Sequence, residues 1–146
     1  MKIVIDTNLL IDASNDDYSF CNRIIDEVIA SRLLAYANRQ TLSENRHMAR
    51  KQIVDESYLQ KLNQFFDLVN LVDNKRLIDI VEDPEDNKIL ESAVESDSEY
   101  LITSDNHLLK IEQYDDIKIV TPSQFWRIYE DESGSSWKQW LNDFIK

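Results

Sequence analysis

Two short apolar stretches of this chain run directly into an acidic residue, and a third acidic group opens a helix between them. Lys2-Ile3-Val4-Ile5 leads into Asp6, and Tyr100-Leu101-Ile102-Thr103 leads through Ser104 into Asp105. Such β-branched, apolar runs of four residues read as strands buried on both faces, and strands of that kind belong to parallel sheets covered by helices. Between them, Asp83 and Asp86 flank Pro84 at the entry to a helical pattern carrying Ile89, Leu90, Ala93 and Val94. The acids therefore fall where α/β sheets gather their functional groups, beyond the carboxyl ends of the strands.

The remaining pattern fits the same frame. Apolar residues at helical spacing mark helices over 17–31, 41–52, 55–68 and 86–97, a short one over 106–111, and another after Pro122. Strands are expected at 2–5, 33–37, 100–103 and 117–120, with weaker candidates at 69–72 and 78–81. Strands alternating with helices predict an α/β domain with a central, mainly parallel sheet between two helical layers. At 146 residues the chain suits one domain, taken here as 1–132. A tail at 133–146 has Trp137, Trp140, Leu141 and Phe144 at helical spacing. Only one glycine and two prolines punctuate the chain, so its turns must be made by Asn, Asp and Ser.

Charge limits the function classes. Asp and Glu number 28 against 16 Lys and Arg, a net charge of −12. A module that grips nucleic acid unaided is ordinarily basic, so the acid surplus favours an enzyme that gathers carboxylates around cations, or a chain with a basic partner. The one positive window holds Arg39, Arg46, Arg50 and Lys51 against Glu44. The single cysteine, Cys21, can form no internal disulfide and reads as core. With no signal-peptide pattern and no apolar run near the ~20 residues of a membrane helix, the expected setting is cytoplasmic, away from membranes.

Clustered carboxylates repel one another unless a cation neutralises them. Hard divalent ions such as Mg²⁺ and Mn²⁺ prefer oxygen ligands, and one or two of them on a few carboxylates can activate water for phosphodiester hydrolysis. Each acid also has a purely structural reading. Asp6, Asp86 and Asp105 all stand where Asp commonly caps a helix.

Four segments resemble PIN-domain nucleases. These are Ile3-Val4-Ile5-Asp6-Thr7-Asn8, Asp83-Pro84-Glu85-Asp86-Asn87-Lys88, Leu101-Ile102-Thr103-Ser104-Asp105-Asn106, and Ile119-Val120-Thr121-Pro122-Ser123-Gln124-Phe125. Order and spacing match from residue 2 to about residue 126. The resemblance implies a three-layer α/β/α fold and a Mg²⁺- or Mn²⁺-dependent ribonuclease acting on single-stranded RNA. It also implies that Asp6, Asp86 and Asp105 are metal-binding or catalytic. Glu44 matches the family's acid on the helix after strand two, although Asn38-Arg39-Gln40 replaces the usual lead-in and a solvent-facing acid beside Arg46 or His47 is the alternative. Thr7, Asn8, Asp83 and Ser104 are placed around the acids as supporting groups, Asp83 and Ser104 with an equal claim as turn residues. Asn87 stands where many relatives carry another acid, which leaves the number of ions open. Arg46 and Arg50, one helical turn apart, are candidates for RNA phosphates or a solvated face. His47 and His107 lack metal-ligand spacing.

Many PIN relatives are toxins of bacterial toxin–antitoxin pairs, so a basic antitoxin is an expected partner. The 133–146 tail could serve that partner, a homodimer, or its own core. Rival α/β enzymes fit less well. A dehalogenase-type phosphatase wants an acid where Asn8 stands, and a receiver domain wants an acidic pair at the first strand end. The alternative of another class is a catalytically inactive PIN fold used as a protein- or RNA-binding module.

Overall fold

The computed structural model describes the backbone of residues 1–15 and 19–145, and the side chains of 1–14, 19–132 and 144. Its strands are β1 (Lys2–Ile5), β2 (Leu34–Asn38), β3 (Asn70–Val72), β4 (Tyr100–Ile102), β5 (Gln113–Tyr114) and β6 (Ile117–Val120). Its helices are α1 (Thr7–Asp12), α2 (Phe20–Ile29), α3 (Arg39–Gln52), α4 (Glu56–Leu68), α5 (Pro84–Glu95), α6 (Asn106–Leu109) and α7 (Pro122–Ile145). The strands form one sheet in the order β3-β2-β1-β4-β6-β5. Every pairing is parallel except the β5–β6 hairpin at the edge. From β1 the chain builds outward through β2 and β3, then returns to lay β4 on the other side of β1. The switch point of the sheet therefore lies between β1 and β4, where a crevice opens beyond the strand ends.

Alternation along the strands divides the core into two layers. Ile3, Ile5, Tyr100 and Ile102 face one side and pack with Ile24, Ile25, Leu62, Phe66 and Phe125 from α2, α4 and α7. Val4 and Leu101 face the other side and pack with Ile89, Leu90 and Ala93 of α5 and with Ile117 and Ile119. This is the expected α/β/α sandwich. Tyr129 closes the first layer at its rim, where its hydroxyl donates to Glu27 Oε2 at 2.6 Å. Cys21 is buried in the same layer, its Sγ donating to the Leu9 carbonyl, and burial pushes the thiol up to about 12. Among the described residues no helix is long and apolar enough to cross a membrane.

Several boundaries differ from the sequence expectation for local reasons. The helix that Asp6 was placed to cap forms, spans only Thr7–Asp12 and starts directly on the Asp6 cap. The helix expected over 17–31 spans Phe20–Ile29, capped by Ser19 Oγ on Asn22 N; residues 16–18 lie outside the described residues. It stops before Ser31, which has φ 62°. With one glycine in the chain, Ser31, Asp97, Glu112 and Asp115 take the left-handed turns, a conformation that Asp tolerates better than most residues.

The strand expected at 78–81 does not form. Its backbone is claimed by side chains of α5: Glu91 Oε1 accepts from Ile78 N, and Asn87 Oδ1 accepts from Ile80 N and Val81 N. Asn87 Nδ2 in turn donates to the Val81 carbonyl. With those groups engaged by α5 rather than by a neighbouring strand, 73–83 is a strap against α5. Segment 133–145 continues α7; how the 133–146 tail packs lies outside the described residues.

Candidate active site at the switch point

Asp6 leaves β1 at the switch point and is 4% exposed. It is both a cap and a site residue: Oδ1 accepts from Asn8 N at 3.2 Å to start α1, while Oδ2 accepts from Thr103 Oγ1 at 2.8 Å. Thr103 ends β4 beside it and is fully buried. The same Oγ1 accepts from the backbone N–H of Asp105 at 3.0 Å. One hydroxyl thus links the two strand-end acids. Asp105 caps α6, its Oδ1 accepting from His107 N at 2.8 Å, with His107 Nδ1 at 3.2 Å.

Asp86 reaches this crevice from α5. The cap of α5 is Asp83, whose Oδ1 accepts from Glu85 N, with Pro84 in the first turn. The helix therefore begins two residues earlier than expected, and the capping role open to Asp86 falls to Asp83. Relieved of it, Asp86 is 6% exposed and hydrogen-bonds with Asp105. Burial, followed by the hydrogen bond and negative charge of Asp105 and the charges of Asp83 and Asp6, pushes the Asp86 carboxyl up to about 7. The His107 N–H, then the Asp86 and His107 side chains, hold Asp105 below the ordinary carboxylate range against its partial burial. Asp6 is also raised, chiefly by burial and further by the charges of Asp105 and Asp83, although the Thr103 and Asn8 bonds oppose the rise.

These acids border two clefts that meet at Asp6, Asn8 and Met48. One, of about 210 Å³, is lined by Asp6, Thr7, Glu44, Asn45, Asp83 and Asp86 among others. The other, of about 410 Å³, takes in Asp12, Gln52, Ser104 and Asp105. The structure thus brings Asp6, Glu44, Asp86 and Asp105 to one crevice, with Thr7, Asn8, Asp83 and Ser104 on its walls. Glu44 is exposed on the lip, accepting from Gln40 Nε2.

The two arginines part company. Arg50 is exposed in a basic groove of α3, with His47 and Lys51, that adjoins the crevice through Glu44 and Met48. Arg46 instead turns to α4, pairing with Asp67 at 2.9 Å and lying over the Phe66 ring, and lines neither cleft.

A set of acids that repel one another, with Asp6 and Asp86 buried and Asp105 partly so, is a donor set suited to a hard divalent cation. Among the described residues, no three His, Cys, Asp or Glu side chains are already grouped closely enough to hold one. Their oxygens are instead engaged with Thr103, Asn8, His107 and each other. Sequence reasoning missed Thr103 and Asn45. Thr103 could have been found from the expectation that strands 2–5 and 100–103 are neighbours, since their ends then face each other. Asn45 carried no such signal.

The fold and crevice define an α/β/α domain with a carboxylate site at its switch point. The chain belongs to the PIN-domain family, whose PIN domain model matches residues 2–107. An uncharacterised protein of Methanocaldococcus jannaschii is 25% identical over 144 residues, spanning 89% of this chain and 92% of the relative. Among solved structures, VapBC2 from Rickettsia felis, bound to a DNA fragment from its promoter, has a TM-score of 0.54 at 16% identity. The match covers 82% of this chain and 97% of that one, and the likeness is one of fold.

Proposed function

We propose that this chain is a Mg²⁺- or Mn²⁺-dependent endoribonuclease that hydrolyses single-stranded RNA. The observation that carries the reading is the meeting of Asp6, Asp86 and Asp105 at the β1–β4 switch point of a PIN fold, with Asp86 raised to about 7. Asp6, Asp86 and Asp105 would hold the ion, and Glu44 stands at the lip of the same cleft. When bound, a divalent ion supplies an activated water and positive charge for the leaving oxygen. Thr103 orients Asp6 and fixes the Asp105 backbone, the kind of support that sets ligand geometry. Asp86 gives up its proton as the site charges, so the acids become competent together toward neutral pH. The groove of Arg50 and Lys51 offers cationic contacts for the strand outside the acidic crevice.

The biological reading is a toxin held by an antitoxin in the cytoplasm. The family resemblance and the likeness to VapBC2 support it, and a net charge of −12 suits a basic partner. A homodimer is a further proposal for the same protein. The second reading, an inactive PIN fold used for binding, draws on the acids not being drawn together into a set of three. Cleavage of defined single-stranded RNAs in Mg²⁺ and Mn²⁺ tests both. Activity lost by at least about a hundredfold in Asp6→Asn and in Asp105→Asn is the expected result. A wild type that stays inert in both metals while binding a protein partner refutes the nuclease.

A further inference from the structure

Asn45 is a polar side chain that no motif assigns, and it is 5% exposed in the middle of α3. Its Oδ1 accepts a 2.6 Å hydrogen bond from Thr7 Oγ1, which ties the start of α1 to α3. With Oδ1 engaged, the amide nitrogen faces away from Thr7 and makes no hydrogen bond within the described residues. Buried amide donors rarely stand idle. Nor is this nitrogen sealed in. Trp126 Nε1 is the only enclosed side-chain nitrogen or oxygen without a partner among the described residues. Asn45 lines the cleft of Asp6, Glu44, Asp83 and Asp86, so an amide that is neither bonded through its nitrogen nor enclosed stands at the wall of that cleft.

We infer that Asn45 Nδ2 donates a hydrogen bond to a non-bridging phosphate oxygen of the strand in this cleft, an inference that rests on the nuclease reading above. Two neighbouring hydroxyls are committed: Thr7 gives its proton to Asn45, and Thr103 gives its own to Asp6. The charge of the cleft explains the residue type. A lysine or arginine at this depth would be captured by the carboxylates and would cancel the charge a cation needs. A neutral amide holds a phosphate oxygen and leaves the acids free.

Two variants separate this role from a structural one. Asn45→Asp keeps an acceptor for Thr7 and removes the donor; Asn45→Leu removes both without adding charge. Cleavage of a short oligoribonucleotide is measured in Mn²⁺, and its binding by fluorescence anisotropy in Ca²⁺. Each variant is expected to weaken binding and kcat/KM by about tenfold or more. A scan of single methylphosphonate linkages should show one position whose penalty is present in the wild type and absent in Asn45→Leu. An equal penalty at every linkage in both proteins, or wild-type binding by Asn45→Leu, overturns the inference and leaves Asn45 a structural residue. If the wild type binds and cleaves and only these differences fail, the nuclease reading survives. If it neither binds nor cleaves, both fall.

Discussion

Thr103→Val replaces a fully buried hydroxyl by a methyl of the same shape, and the structure makes its consequences specific. The hydroxyl donates to Asp6 Oδ2 at 2.8 Å and accepts from Asp105 N at 3.0 Å. The first bond is charge-assisted and buried, the kind that contributes about 1.5–3 kcal/mol. If that energy serves to hold Asp6 as an oriented carboxylate, its loss lowers kcat/KM by roughly ten- to a hundredfold. The sign with pH follows from the same bond. Thr103 favours the charged form of Asp6, whose pKa burial has already raised; removing it raises that pKa further. The acid limb of the pH–rate profile should therefore move to higher pH, and Mn²⁺ affinity should fall more at pH 6 than at pH 8. Stability moves in step. A group with a raised folded pKa loses stabilisation as pH rises through that value, so the metal-free variant should be weakened more at pH 8 than at pH 5. Single-turnover cleavage from pH 5.5 to 9, with urea denaturation in EDTA, measures all of these. An unchanged rate and acid limb in a folded Thr103→Val protein would refute the positioning role.

The Asp86 carboxyl, raised to about 7 against an unfolded value near 3.9, makes the metal-free fold most stable in acid. That contribution is fully present below pH ~4 and disappears as pH rises through 7, at most about 4 kcal/mol, while Asp105, held low, acts oppositely over a more acidic range. Denaturation in EDTA at pH 5 and pH 8 should show the loss, Mn²⁺ should reverse it, and Asp86→Asn should flatten it; a flat wild-type profile would contradict the raised Asp86 carboxyl. Arg46→Ala removes a half-exposed ion pair and a ring contact, so it should cost about 1 kcal/mol of stability or less and leave cleavage within about twofold. Arg50→Ala should instead raise KM several-fold with little change in melting temperature. Equal effects of the two on KM would show that Arg46 leaves α4 to meet the strand.

The centre of the sheet was legible because β1 and β4 are buried on both faces and so read as unbroken apolar runs, with Asp6 directly after the one and Asp105 shortly after the other. The strand expected at 78–81 shows the limit of that signal. Ile78, Ile80 and Val81 have the composition of a strand, but their hydrogen bonds go to Asn87 and Glu91, a tertiary choice that local composition does not encode. The edge hairpin β5 was missed for the converse reason, since two residues beside a turn carry no period.

The site divides in a similar way. Acids advertise themselves by charge and place, and Asp6, Asp86 and Asp105 became candidates from those alone, whereas which oxygen of each is already engaged is set by the fold. Asp6 and Asp105 are caps and site members at once. Asp86 escapes capping only because Asp83 takes it. The two arginines, one turn apart on α3, looked equivalent until Asp67 and Phe66 claimed one of them. Thr103 and Asn45 were invisible because neither has a charge to betray it, and their importance lies in partners 97 and 38 residues away. In an acidic crevice the groups that decide geometry are these neutral ones. They can sit among carboxylates at hydrogen-bonding distance without altering the charge of the crevice.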